Sequence, residues 1–135
     1  MDLITWDADL QTGIAHMDHD HMRMVEMINR LHDATNKGAG KVAMVSIMRG
    51  LLEYTRDHFR REEDAMKYAN YPDREEHCKE HAYYAWKVKA LARHVDATPP
   101  VLPTVAMDFL WNWLRQHIKH SDRKMAYYLS HRTDP

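Results

Sequence analysis

The sequence predicts an all-α fold: an up-down-up-down antiparallel four-helix bundle with an N-terminal arm and a short C-terminal helix. Three observations predict it. Apolar residues recur at helical spacing through four long stretches; the four glycines and five prolines fall mainly between them; and no stretch alternates apolar with polar residues as a half-buried strand would. At 135 residues the chain has the size of one domain. The expected division is an arm (1–16), the bundle (about 17–121) and a C-terminal segment (122–135).

In the first helix Met17, His21, Met24, Val25, Ile28 and Leu31 share one face, with Asp18 as the expected N-cap and Trp6 ahead of it in the arm. Gly38 and Gly40 mark the first break. The second helix runs from about Lys41 to Ala69, its stripe carrying Val45, Met48, Leu52, Thr55, His58 (or Phe59), Glu62 and Met66. Pro72, whose fixed φ suits a first helical turn, opens the third, which carries His77, His81, Tyr84, Ala85, Val88 and Leu91. Pro99, Pro100 and Pro103 mark the last break. The fourth helix starts between Val101 and Thr104 and contains Phe109, Leu110, Trp113, Leu114, His117 and Ile118; the residues after Asp122 form a short extra helix. Helices of roughly 20 to 29 residues span about 30 to 44 Å. Short connections make sequence neighbours antiparallel.

Composition excludes several function classes. Nineteen Lys and Arg against twenty Asp and Glu leave a net charge of −1, without the basic excess that phosphate backbones or anionic membrane surfaces require. No apolar run approaches the ~18 residues of a membrane span. The N-terminus lacks a charged stretch followed by an apolar one, so no secretory leader is expected. Cys78 is the single cysteine, which rules out an internal disulfide and fits a reducing cytoplasm. A cytoplasmic monomer is expected. Eleven His is a high count and points to a metal site, while ten Met read as adaptable core filling.

Each helical stripe is interrupted by a metal-competent side chain. A lone histidine among apolar residues is more often a hydrogen-bonded core residue than a ligand. An i,i+4 pair such as His77 and His81 is stronger, because both rings leave one helical face and can grip one ion. His58 and Glu62 form a second such pair on another core-facing stripe. Burying an acid and several imidazoles costs free energy unless a metal compensates them. His21 shares its stripe with Met17, Met24 and Val25, whereas His19 keeps company with Arg23 and Glu26, and His16 precedes the helix. His32, His94 and His131 lie near helix ends or in the tail and read as solvated. A rival reading takes His77-Cys78-Lys79-Glu80-His81 as the H-x-x-E-H motif of a zinc peptidase with Glu80 as base. It leaves His58, Glu62, His117 and Asp122 without a role.

In order along the chain stand Gly13-Ile14, Asp18-His19-Asp20-His21, His58-Phe59-Arg60-Arg61-Glu62-Glu63 with Met66, Tyr71-Pro72, His77-x-x-x-His81, and Trp113-Leu114-Arg115-Gln116-His117-Ile118 with Asp122. From Trp6 to Tyr128 this resembles the hemerythrin family in its single-domain bacterial form. The resemblance implies seven ligands: His21, His58, Glu62, His77, His81, His117 and Asp122. It implies two irons bridged by Glu62, Asp122 and an oxo or hydroxo group, with His77, His81 and His117 on one. His21 and His58 hold the other, leaving it one open position for dioxygen. Asp122 lies five residues past His117, about 140° around an ideal helix, so the resemblance also implies a π-type turn or a bend there. Phe59, Trp113 and Leu114 are the expected apolar wall of the oxygen pocket.

The function so implied is reversible dioxygen binding for storage, delivery or sensing, not catalysis, with a separate redox or signalling protein as a conceivable partner. A di-iron redox or peroxide-handling protein is the alternative. Oxygen-activating bundles use Glu-x-x-His motifs, and this chain has none. Three positions depart from the family pattern: Asp20 stands where Gln is usual, Tyr84 where Phe is usual, and His120 lies one turn beyond His117, on a face that could look toward the site.

Overall fold

The structure, a computed structural model, describes residues 6–95 and 104–131. Among the described residues five α-helices follow one another: α1 (Ala15–Asn36), α2 (Lys41–Tyr68), α3 (Arg74–Val95), α4 (Thr104–His117) and α5 (Arg123–His131). A π-helical turn, Ile118–Asp122, joins α4 to α5. The four long helices pack in a ring, α1 on α2, α2 on α3, α3 on α4 and α4 on α1. His21 near the start of α1, Glu62 near the end of α2, His77 near the start of α3 and His117 at the end of α4 meet at one level. Successive helices therefore run in opposite directions, as the sequence predicts.

Both short connections end their helices in the same way. Beyond α1, Gly38 adopts φ +66° while its N–H reaches the carbonyl of Thr35 and that of Ala39 reaches Ala34. Beyond α2, Asn70 adopts φ +53° and the N–H groups of Asn70 and Tyr71 reach Lys67 and Met66. These are Schellman endings, and the second brings the apolar contact that accompanies them, Tyr71 against Met66. Each reverses the chain within a few residues, which fixes the antiparallel order.

Three local expectations change. Asp18 is not the N-cap: α1 starts at Ala15, which also places His16 inside the helix. The Asp18 carboxylate reaches back to accept from the Thr12 N–H (2.7 Å) and hydroxyl (2.8 Å) and from the Gly13 N–H (3.3 Å). It ties the arm to the positive end of the helix from within the first turn. Helix α3 begins at Arg74, two residues beyond Pro72, because Pro72 and Asp73 form the turn that leaves Tyr71. The proline-marked break before α4 lies outside the described residues. In the arm, Leu10 is fully buried and Trp6 packs against the main apolar cluster.

Burial sorts the core into layers. A large apolar cluster holds Met24, Ile28, Leu31, Met48, Leu51, Phe59, Tyr84, Leu110 and Leu114, among others. A small one holds Met17, Met66, Tyr71 and Met125. Among the described residues nine polar or charged residues are also buried, and seven of them are His21, His58, Glu62, His77, His81, His117 and Asp122. Along each helix these seven fall between residues of the large cluster and residues of the small one. The polar layer is thus closed to water from above and below.

Tyr84 belongs to the fold. Its hydroxyl, fully buried, donates to the Leu110 carbonyl at 2.8 Å and so bolts α3 to α4. A Tyr84→Phe protein is expected to lose about 1 kcal/mol of stability in thermal or urea unfolding, with its metal content unchanged.

Candidate metal centre

The buried polar layer is arranged around two carboxylates. Glu62 Oε1 lies 3.1 Å from His81 Nε2 and 3.7 Å from His77 Nε2; its other oxygen, Oε2, lies 2.9 Å from His58 Nε2 and 3.6 Å from His21 Nε2. Asp122 divides in the same sense, with Oδ1 at 3.0 Å from His77 and 3.1 Å from His117, and Oδ2 at 3.0 Å from His21. Two donor groups result: His77, His81 and His117 on one side, His21 and His58 on the other, with Glu62 and Asp122 shared by both. The π-helical turn makes this possible, because its wider winding turns Asp122 back onto the side of His117.

Three of the five rings are held from behind by a carboxylate. His58 Nδ1 donates to Asp20 (2.9 Å), His81 Nδ1 to Glu63 (2.8 Å) and His117 Nδ1 to Glu80 (2.8 Å). Each supporting acid is the sequence neighbour of one ligand-type residue and supports a histidine on the next helix: α1 to α2, α2 to α3, α3 to α4. The ring proton sits on Nδ1 in such a pair, so the Nε2 lone pair faces inward.

That arrangement calls for a cation. His81 Nε2 and His117 Nε2 approach to 3.1 Å with both Nδ1 atoms already committed to carboxylates. Two inward lone pairs at that distance repel unless a positive charge lies beside them. Around them, His21 Nε2, His58 Nε2, His77 Nε2 and all four oxygens of Glu62 and Asp122 are buried without a hydrogen-bond partner among the described residues. Such orphaned atoms are costly, and a bound metal satisfies them together. The donor set, imidazole with carboxylate, fits a first-row transition metal.

Protons take the place of that charge when metal is absent. Burial disfavours a charged His21, but the Asp122 and Glu62 carboxylates at 3.0 and 3.6 Å outweigh it and raise its pKa to about 9. His117, equally buried, is raised to about 10 by Asp122 and by Glu80 behind it. Against burial, His58, His21 and His77 hold Glu62, and His117 and His21 hold Asp122, well below the usual carboxylate range. The histidine contribution to stability is complete below the unfolded value of 6.5 and fades as pH rises through 9 and 10. The carboxylate contribution is complete above about 4.5 and fades as pH falls. Metal-free protein is therefore expected to be most stable between about pH 4.5 and 6.5, measured by urea unfolding at stepped pH. Metal requires neutral imidazoles, so its binding releases protons and the stabilisation it adds grows toward neutral pH. A metal-free protein that gains stability between pH 6.5 and 9 would contradict this charge assignment.

The aromatic residues differ from expectation in one respect. Phe59 stacks on His81 (3.8 Å between centroids, 2° between planes) and Trp113 stacks on His117 (4.7 Å, 11°). Both rings cover the three-histidine side; Phe59 is 6.0 Å from His58 and tilted to it. Leu114 is buried one turn before His117. His120 is exposed, bonded to Gln116 at 3.0 Å, and does not look into the centre. His16, His19, His94 and His131 are exposed and His32 is half-buried. Glu80, the base of the peptidase reading, is committed to His117 and to the Ser121 hydroxyl, and the bond from His117 helps hold its pKa down to about 2. It supports a ligand and faces no metal position, which removes the motif's catalytic geometry. Sequence reasoning missed the supporting role of Asp20, Glu63 and Glu80. Their one signal was position, each beside a residue of the candidate set.

Fold and site together define a four-helix bundle with a buried metal-binding centre. The Hemerythrin HHE cation binding domain model matches residues 12–129, and the chain belongs to the hemerythrin family. It is 35% identical over 119 residues to a bacteriohemerythrin of Pseudomonas aeruginosa, covering 88% of this chain and 76% of that protein. A bacteriohemerythrin of Stenotrophomonas maltophilia is 30% identical over 126 residues, 93% of this chain and 81% of that one. A solved wild-type hemerythrin superposes with a TM-score of 0.86 at 27% identity, covering 95% of this chain and 98% of that chain. Among the described residues no helix is long and apolar enough to cross a membrane.

Proposed function

We propose that this chain binds dioxygen reversibly at a centre of two irons, held by His77, His81 and His117 on one side and His21 and His58 on the other, with Glu62 and Asp122 shared. The observation that carries the reading is the division of both carboxylates, each turning one oxygen to the three-histidine side and the other toward the two-histidine side. The three-to-two split leaves the two positions unequal in protein donors, which favours an exogenous ligand at the poorer one. Irons so held would supply reversible electron exchange with bound dioxygen.

The residues around the centre serve retention and dryness. Asp20, Glu63 and Glu80 hold three rings in the tautomer that presents Nε2. Phe59 and Trp113 lie flat on His81 and His117 and keep water from that side. Leu114, buried above His117, provides apolar surface at the level of the centre. Neutral imidazoles outnumber carboxylates five to two in the donor set. That balance suits release of the ligand over its activation, so the reading is a binding protein and not an enzyme.

The test is an oxygen-uptake titration of reduced, iron-loaded protein in an oxygen electrode cell. The expected result is uptake of one dioxygen for each pair of irons, and recovery of that oxygen under an inert gas stream. Uptake without recovery would replace binding by consumption.

A further inference from the structure

Asp20 differs from the other two supporting carboxylates. Its side chain is 11% exposed, against 38% for Glu63 and 42% for Glu80. Besides the His58 Nδ1 proton it accepts from the Tyr54 hydroxyl (2.8 Å) and from Arg61 through Nη2 (2.8 Å) and Nε (3.3 Å). Arg61 is half-exposed, with its guanidinium 6.0 Å from the Tyr54 ring centroid. On the other ring of this side, His21 Nδ1 is buried without a partner among the described residues. Asp20 is therefore the carboxylate through which the protein reaches the two-histidine side from behind.

We propose that Asp20, Tyr54 and Arg61 form a tuning unit for that half of the centre, in which Asp20 strengthens the hold of His58 on a cation and Arg61 and Tyr54 limit the strengthening. The proposal rests on the metal-centre reading above. An anionic acceptor on Nδ1 shifts electron density toward Nε2 and makes the imidazole a better donor. Hydrogen bonds from a guanidinium and a phenol withdraw density from the same carboxylate, so they act in the opposite sense. Arg61 reaches solvent, and salt will screen its share more than that of the buried His58–Asp20 contact. Asp20 and its two companions are positioning residues; none belongs to the donor set itself.

The two senses give a test that a merely structural role fails. Metal-free protein is titrated with cobalt(II) as the probe, followed by its visible absorption, for the wild type and for Asp20→Asn, Arg61→Gln and Tyr54→Phe. Wild-type protein is expected to take up two cobalt ions per chain, one for each donor group. Asp20→Asn keeps an acceptor of similar shape and removes the charge; it is expected to weaken one of the two sites roughly 10- to 100-fold and leave the other nearly unchanged. Arg61→Gln is expected to tighten that same site roughly two- to fivefold at low salt, fading at high salt, with Tyr54→Phe in the same direction. In iron-loaded protein the signs carry over to the reduction potential, raised by Asp20→Asn and lowered by Arg61→Gln. Weakening in all three variants, equal loss at both sites, or no change in Asp20→Asn would overturn the proposal while leaving a two-metal wild type standing. A wild type that takes up no cobalt would overturn the metal-centre reading and this proposal with it.

Discussion

Replacing Glu62 with Ala should empty both halves of the centre, whereas replacing His77 or His81 with Ala should empty one. The asymmetry follows from geometry. Glu62 gives Oε1 to His81 and His77 at 3.1 and 3.7 Å and Oε2 to His58 and His21 at 2.9 and 3.6 Å, so it is common to both donor groups. His77 and His81 belong to one group only. Metal analysis of purified protein should give two irons per chain for the wild type, close to none for Glu62→Ala and at most one for either histidine variant. Stability should follow. A ligand at a thousandfold excess over its Kd stabilises the folded state by about 4 kcal/mol, and the variants lose that contribution in proportion to the sites lost. Each histidine variant also leaves Glu62 and Asp122 buried with fewer counter-charges, a further cost within the layer. Full iron and unchanged melting in both histidine variants would show that the ligands lie elsewhere.

The second large effect concerns Leu114 and Phe59. Leu114→Asn places an amide in a fully apolar position, 1% exposed, and should cost about 3 kcal/mol or more of stability. Its larger consequence is chemical: an amide draws water to the level of the centre, and water with a proton source would favour oxidation over the reversible binding proposed above. Iron content should hold while oxidation in air quickens on the order of tenfold. Phe59→Ser acts on the three-histidine side, because the ring it removes lies on His81 at 3.8 Å. It should loosen the iron held by the three histidines before it changes oxidation. Stopped-flow oxidation rates beside iron analysis separate the two. A Phe59→Ser protein that oxidises faster while keeping all its iron would put dioxygen on the three-histidine side.

The two i,i+4 pairs, His58 with Glu62 and His77 with His81, were legible in the sequence, because one helical face carries both members and the surrounding residues are apolar. His21 was legible for a related reason: its stripe is buried and that of His19 is not. Helix positions followed from the same periodicity to within two residues for α3 and closer for α2, whereas the cap of α1 is Ile14, four residues before Asp18. Asp122 was not legible from spacing, since an ideal helix turns it away from His117; only the resemblance pointed to the π-helical turn found at Ile118–Asp122. The supporting acids were hidden for another reason. Asp20, Glu63 and Glu80 each act across a helix pair, and periodicity reports which face of one helix is buried, not which residue of the next helix it meets. The start of α1 also escaped the pattern. Asp18 looks like a cap by residue type, yet its carboxylate is spent on Thr12 and Gly13 one turn into the helix. His120 shows the converse: a histidine one turn from a ligand can still face solvent, since a single residue in a widened turn changes its direction.

The most direct measurement is the visible spectrum of reduced, iron-quantified protein through repeated cycles of air and inert gas. Reversible binding at the buried centre requires a nearly colourless reduced protein that gains a charge-transfer band in air and loses it under inert gas, with no added reductant and little loss over several cycles. Direct conversion to the oxidised form in air, with no oxygenated spectrum even on the stopped-flow time scale, would contradict it.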